Sequence, residues 1–255
     1  MQVSLNDWVR FRKALEKINK KAAEEFRDHF FKGEGKTGLK GVSIQEVIEY
    51  AYALATKYGE ASAELAAQMY DAIAEAEGVQ VLAAEVAETA TYQETARAIN
   101  GSLKQSPSGQ LLDQVTSRLV KQAAADTMIK NALRDGAEFA WITQGDTCAF
   151  CRTLSSRGWQ QASKKAIRNG HAEHIHANCD CMYCVRHKSN TNVSGYDPEK
   201  LKREYDNAAP GKSPQEKINA MRRESYSENR ERINEQKRAA YAKRIEANKG
   251  DFGIQ

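Results

Sequence analysis

All five cysteines of this 255-residue chain fall between Cys148 and Cys184, and four of its five histidines, His171, His174, His176 and His187, lie in or beside the same window. Disulfide scaffolds spread their cysteines, whereas metal sites gather them. Cys148-Ala149-Phe150-Cys151 is a thiolate pair with two residues between, the spacing by which a zinc knuckle grips its ion through two sulfurs. The stretch His176-Ala177-Asn178-Cys179-Asp180-Cys181-Met182-Tyr183-Cys184 supplies further soft donors after a loop short enough to fold back. A structural zinc takes four ligands, so donors outnumber places. Cys148, Cys151, His176 and Cys179 are the first choice. Cys181 is a close substitute, because residues two apart on an extended segment face the same way. Cys184 is a further rival, since Cys181 and Cys184 form a second two-residue spaced pair and would make a four-cysteine site. His171 and His174 are expected to stay in solution.

Two other readings of the thiols exist. Reduced, buried cysteines with no metal would be plain small core residues, but the clustering argues against them. A nucleophilic cysteine activated by His174 or His176 needs a lone thiolate of low pKa, whereas these thiols come in chelating pairs. Basic residues crowd the same window: Arg157, Lys164, Lys165, Arg168 and Arg186, with Trp159 and Tyr183 close by. Such a face can touch nucleic-acid phosphates; equally, it can surround a zinc thiolate centre of negative charge.

The elements that must position this window are mostly helical. Trp8, Phe11, Leu15, Ile18, Ala22, Phe26 and Phe30, three and four apart, put one apolar stripe on a first helix that follows a cap-like Ser4-Leu5-Asn6-Asp7 and stops before Gly33-Glu34-Gly35. Ser43 with Glu46, and Val42 with Val47, predict a capped and stapled start to a second helix running to Gly78, bent at Gly59. The alanine-rich style continues from Val79 to Asn100 and predicts another helix. Gly101 to Gly109, with Ser106-Pro107-Ser108, reads as a loop and a domain boundary. A helix from Gln110 to Arg134 follows, and Ala137 to Thr143 reads as a strand that delivers the chain to Cys148. Ser189 to Gly195 is loop-like. Ser213, Pro214 and Glu216 start a long, evenly charged helix to about Asn248, read as solvated and held by ion pairs four residues apart.

The expected fold is therefore mainly α: an N-terminal helical bundle over residues 1–104, a small α+β zinc-knuckle module over 105–188, and a charged helical tail over 189–255. With 28% charged against 41% hydrophobic residues, the chain has much surface and no excess of interior. No apolar run approaches the roughly 18–20 residues that cross a bilayer, and the first residues do not look like a signal peptide, so no membrane partner is expected and synthesis in the cytoplasm is. The net charge of +4 is too small to make the whole molecule a polycation.

Trp141-Ile142-Thr143, Asp146-Thr147-Cys148-Ala149-Phe150-Cys151-Arg152-Thr153-Leu154 and His176-Ala177-Asn178-Cys179-Asp180-Cys181 resemble the Mu F-like minor head proteins of tailed bacteriophages. In that family an aspartate precedes the paired-cysteine turn and a His-x-x-Cys-x-Cys stretch closes the module; the resemblance covers roughly residues 110–186. Ala177 and Asp180 stand where the family usually has Pro and Arg, and Cys184 is additional. The resemblance implies a low-copy protein of the capsid interior, made in the host cytoplasm, with the portal protein or other head proteins, and packaged DNA, as partners. It implies head assembly and DNA packaging or delivery, structural zinc, no small-molecule substrate and no catalysis. The alternative is a metal-dependent His-Asn-His nuclease with His174, His176 and Asn178 around a hydrolytic ion, although no ββα pattern follows those histidines. A zinc-containing DNA-binding regulator would need a recognition helix, for which the C-terminal helix is too evenly charged.

Overall fold

The structure, a computed structural model, describes residues 5–32, 38–143, 147–168, 170–172, 175 and 181–251. Helix α1 (Leu5–Phe31) buries Trp8, Phe11, Leu15, Ala22, Phe26 and Phe30, as its stripe requires. Ile18 is only half-buried, and the polar Asn19 takes the inward place on that turn. Ser4 lies outside the described residues. Helix α2 (Ile44–Glu77) starts where Ser43 accepts from the Glu46 amide and ends at Gly78, whose φ of 62° is the left-handed conformation a glycine tolerates without strain.

The chain departs from expectation after Gly78. Residues 79–91 run without regular secondary structure, and helix α3 is confined to Tyr92–Gln105. The cause is local. Thr91 and Glu94 make a complete capping box, which fixes the helix start there. The backbone before it finds its partners on side chains of α2 and of α4 (Leu112–Asp135). Asp71 accepts from the Ala84 amide, Thr127 from the Ala87 amide, and Asn131 both accepts from Glu85 N and donates to Glu85 O. Arg134 donates to the carbonyls of Leu82 and Ala83. A Cβ on Gly59 would meet Thr89 Cγ2 at 2.9 Å, so its bareness lets this segment cross α2.

Helix α4 carries the architecture. It packs on α1, α2 and α3 and also on the strands that follow it. Strand β1 (Glu138–Ile142) stands between β2 (Gln160–Gln161) and β5 (Met182–Arg186), antiparallel to both. Helix α5 (Ala149–Ser155) leaves β1, and a second small sheet pairs β3 (Ile167–Arg168) with β4 (His171–Ala172). One hydrophobic core takes in Trp8 and Leu15 of α1, Tyr70 and Ile73 of α2, Met128 and Ile129 of α4, and Phe139, Trp141, Tyr183 and Val185 of the sheet. The end of α2 is tied to the exit from β5, because the buried Glu77 carboxylate accepts from the His187 amide at 2.7 Å and the Glu77 carbonyl accepts from Lys188. Helix α6 (Pro198–Ala208) starts on an Asp197 cap with proline at its first position. Helix α7 spans Pro214–Asp251, opened by the Ser213 and Glu216 capping pair. Its Ile218 and Met221 cover Ala149 of α5. Among the described residues no helix is long and apolar enough to cross a membrane.

Candidate metal centre

Strand β1 ends at Ile142, and Cys148 is the N-cap of α5, with its carbonyl accepting from the Arg152 amide at 3.1 Å. Cys151 follows one helical turn later, which brings both thiols of the Cys-x-x-Cys pair to one side of the helix start. Cys148 is exposed and Cys151 is fully buried. Thirty positions further on, Cys181 leads into β5, and its sulfur stands 3.0 Å from Cys151 Sγ. That is well beyond a disulfide bond of about 2.05 Å, and it puts two soft donors from distant parts of the chain within reach of one ion. The Cys181 thiol donates to Cys151, so these two are the soft donors the fold brings together; zinc bound to them with further donors would link α5 to β5 and supply no redox chemistry. Among the described residues no group of three or more His, Cys, Asp or Glu side chains is placed to hold a metal. His176 and Cys179 lie outside the described residues, as do the nuclease candidates His174 and Asn178.

Cys184 behaves differently from its neighbours. It lies on β5 opposite Ala140, is fully buried, and its thiol points to the Val185 carbonyl at 3.6 Å. Burial pushes the thiol far above the ordinary cysteine range, so the neutral form is held in the core. A metal ligand must be a thiolate. Cys184 thus sits in the core as a neutral, small residue.

The basic residues divide in two. Arg157, Lys164, Lys165 and Arg168 are exposed. Arg157 and Lys165 line a cavity of about 270 Å³ whose inner wall includes Phe139, Trp141 and Tyr183. Arg186 is held in place: it donates to Glu138 at 2.6 Å and to the Thr191 carbonyl, and its guanidinium lies 4.6 Å from the Trp159 ring.

His171, expected in solution, is held by two helices. On β4, its Nδ1 lies 2.6 Å from Asp126 Oδ2 on α4 and its Nε2 2.6 Å from Glu94 Oε1 on α3. Asp126 also accepts from the Ala172 amide and from Gln122 Nε2, and Gln122 donates as well to the Ala172 carbonyl. Burial opposes the charge of all three groups. At His171 the hydrogen bonds its ring donates to Asp126 and Glu94 overcome it and raise the pKa. At Glu94 burial is likewise outweighed, by hydrogen bonds from His171 and Thr91, and the carboxyl is held at about 2. At Asp126, which is almost fully buried, desolvation wins and the pKa is raised. Sequence spacing gives no hint of this clasp, since its partners are 45 and 77 residues away; the only local sign is the Thr91 and Glu94 pair.

The family model described as VG15 protein matches residues 2–208, and so covers the helices, both small sheets and α6. The chain belongs to the VG15 protein family. VG15 is a family of viral (phage) gene proteins, and its match ends before α7 begins. Comparisons with curated proteins and with solved structures each found no match. Both halves of the cysteine cluster and the Glu94, Asp126 and His171 clasp fall inside the VG15 match.

Proposed function

We propose that the chain is a minor head protein of a tailed bacteriophage, a low-copy component of the capsid interior that docks on the portal and assists head assembly and the packaging or delivery of DNA. It performs no catalysis. A zinc ion held by Cys148, Cys151 and Cys181, with His176 or Cys179 completing the set, staples α5 to β5 and stabilises the knob that the helices present. The observation that carries this reading is the meeting of Cys151 and Cys181 at 3.0 Å. Cys151 and Cys181, one from each of the two stretches that resemble the Mu F-like module, meet here in a chain of the VG15 family. Arg157, Lys164, Lys165 and Arg168 offer an exposed cationic surface for phosphates, and Arg186 supports it by holding the sheet edge.

Two measurements test the reading. Mass spectrometry of purified virions should find the chain at a few copies per particle, protected from external protease, and co-expression with the portal protein should yield a complex. A chain absent from virions and unable to bind portal sinks the assembly role. Elemental analysis of the purified protein should find one zinc per chain, with loss of order followed by circular dichroism on chelation; a metal-free, fully folded chain removes the zinc.

A further inference from the structure

A second cavity, independent of the head-protein reading, lies between α1 and α4 and is closed by β1 and β5, with the thiol Cys181 of the candidate metal centre on its wall. Its volume is about 270 Å³. Arg12 lines it. That side chain belongs to a residue only 9% exposed, and its Nε is enclosed without an acceptor. No hydrogen bond or ion pair engages its guanidinium among the described residues. An enclosed donor without an acceptor is costly, and an anion reaching the guanidinium would supply one. Two turns further along α1, Asn19 lines the same cavity, is 7% exposed, and keeps its Oδ1 without a donor. Lys20 and Lys121 also border it, and Glu16 is the one acid among its described lining residues, leaving the walls positive. Most of the remaining lining is apolar, with Phe11, Leu15, Met128, Trp141 and Tyr183 among its larger members.

We propose that this cavity binds a small organic carboxylate, with the anionic head on the Arg12 guanidinium and an apolar body against Leu15, Met128 and Trp141. Guanidinium receives a carboxylate through two parallel N–H donors, and the Asn19 amide, turned to present its NH₂, adds a third. The size suits a body at the small end of ligand pockets, roughly ten non-hydrogen atoms. Apolar walls disfavour sugar phosphates and multiply charged ions, whose remaining polar groups would find no partners there.

The test uses the full chain titrated with octanoate and with its neutral isostere octanamide, followed by calorimetry and by amide shifts in two-dimensional NMR. Octanoate is expected to bind one per chain with a dissociation constant of about 1 mM or below. Octanamide should bind at least about tenfold more weakly, and Arg12→Gln should remove that difference while leaving the amide's affinity as it was. Ala125→Phe, which fills the cavity from α4, should abolish binding of both. Unligated Arg12→Met should unfold no more readily than the parent chain, because it removes an enclosed donor that lacks an acceptor. Equal affinity for acid and amide, octanoate binding unchanged in Arg12→Gln, or no saturable binding at all would overturn the proposal. If Arg12→Gln fails to fold, the acid-to-amide ratio in the parent chain and its loss in Ala125→Phe decide the matter.

Discussion

His171 has a carboxylate against each ring nitrogen, so the geometry is complete only when both nitrogens carry protons and donate. Its folded pKa is raised, and a raised cation contributes stability that is fully present below its unfolded value, about 6.5, and is lost as pH rises through the folded value. Glu94 has the opposite sign: held at about 2, it contributes above its unfolded value of 4.5 and loses that contribution only as pH falls toward 2. Stability measured by urea unfolding should therefore decline as pH rises above about 6.5, and His171→Gln should flatten that decline. An unaltered slope in the variant would place the titration elsewhere. The cysteines separate just as sharply. Cys184→Ala should keep its zinc, since the thiol is a neutral core group, whereas Cys151→Ala and Cys181→Ala should lose most of it; elemental analysis of each purified variant decides. Zinc lost from Cys184→Ala with an intact fold would restore the four-cysteine set.

At the scale of elements, the segment 79–91 depends on side chains rather than on a ladder of its own. Asn131→Ala removes both bonds to Glu85 and should cost about 1–3 kcal/mol, with new proteolytic cleavage between residues 79 and 91. Gly59→Ala should cost about 1–3 kcal/mol in thermal unfolding, because its methyl group meets Thr89 at 2.9 Å, and Thr89→Ala should relieve most of that loss. If the double variant is no better than the single, the crossing is not the cause. Elements with strong local signals were legible in the sequence: α1 from its stripe, α2 from Ser43 and Gly78, and β1 from its aromatic and branched residues. Residues 79–91 were not, because alanines favour a helix and the groups that overrule them sit on α2 and α4. The capping box at Thr91 and the Asp197-Pro198 start of α6 were readable but were passed over. Of the candidate site, the thiol pairs could be read from spacing alone. His171 and Arg12 could not, since a histidine's partners and an arginine's lack of them arise only from long-range packing.

For the whole molecule, α7 divides into a seated part and a projecting part. Ile218 and Met221 are buried against α5, while Tyr226 and Tyr241 are exposed. A chain ending at Ser225 should match the full chain in thermal unfolding, whereas one ending at Gly211 should lose about 3 kcal/mol through uncovering Ala149 and its neighbours. Equal stability of the two truncations would show that α7 does not shield the cysteine turn. Helix α4 has consequences beyond the finished molecule. Its faces are covered by α1 and α2 on one side and by strands as late as β5 on the other, and Val193 joins the same core. During translation the helices therefore emerge long before the strand that closes over them. Until the ribosome has released residues past Val193, Met128 and Ile129 lack their cover, and the nascent chain must be kept from its neighbours, by a holding chaperone or by the speed of synthesis, or it will aggregate.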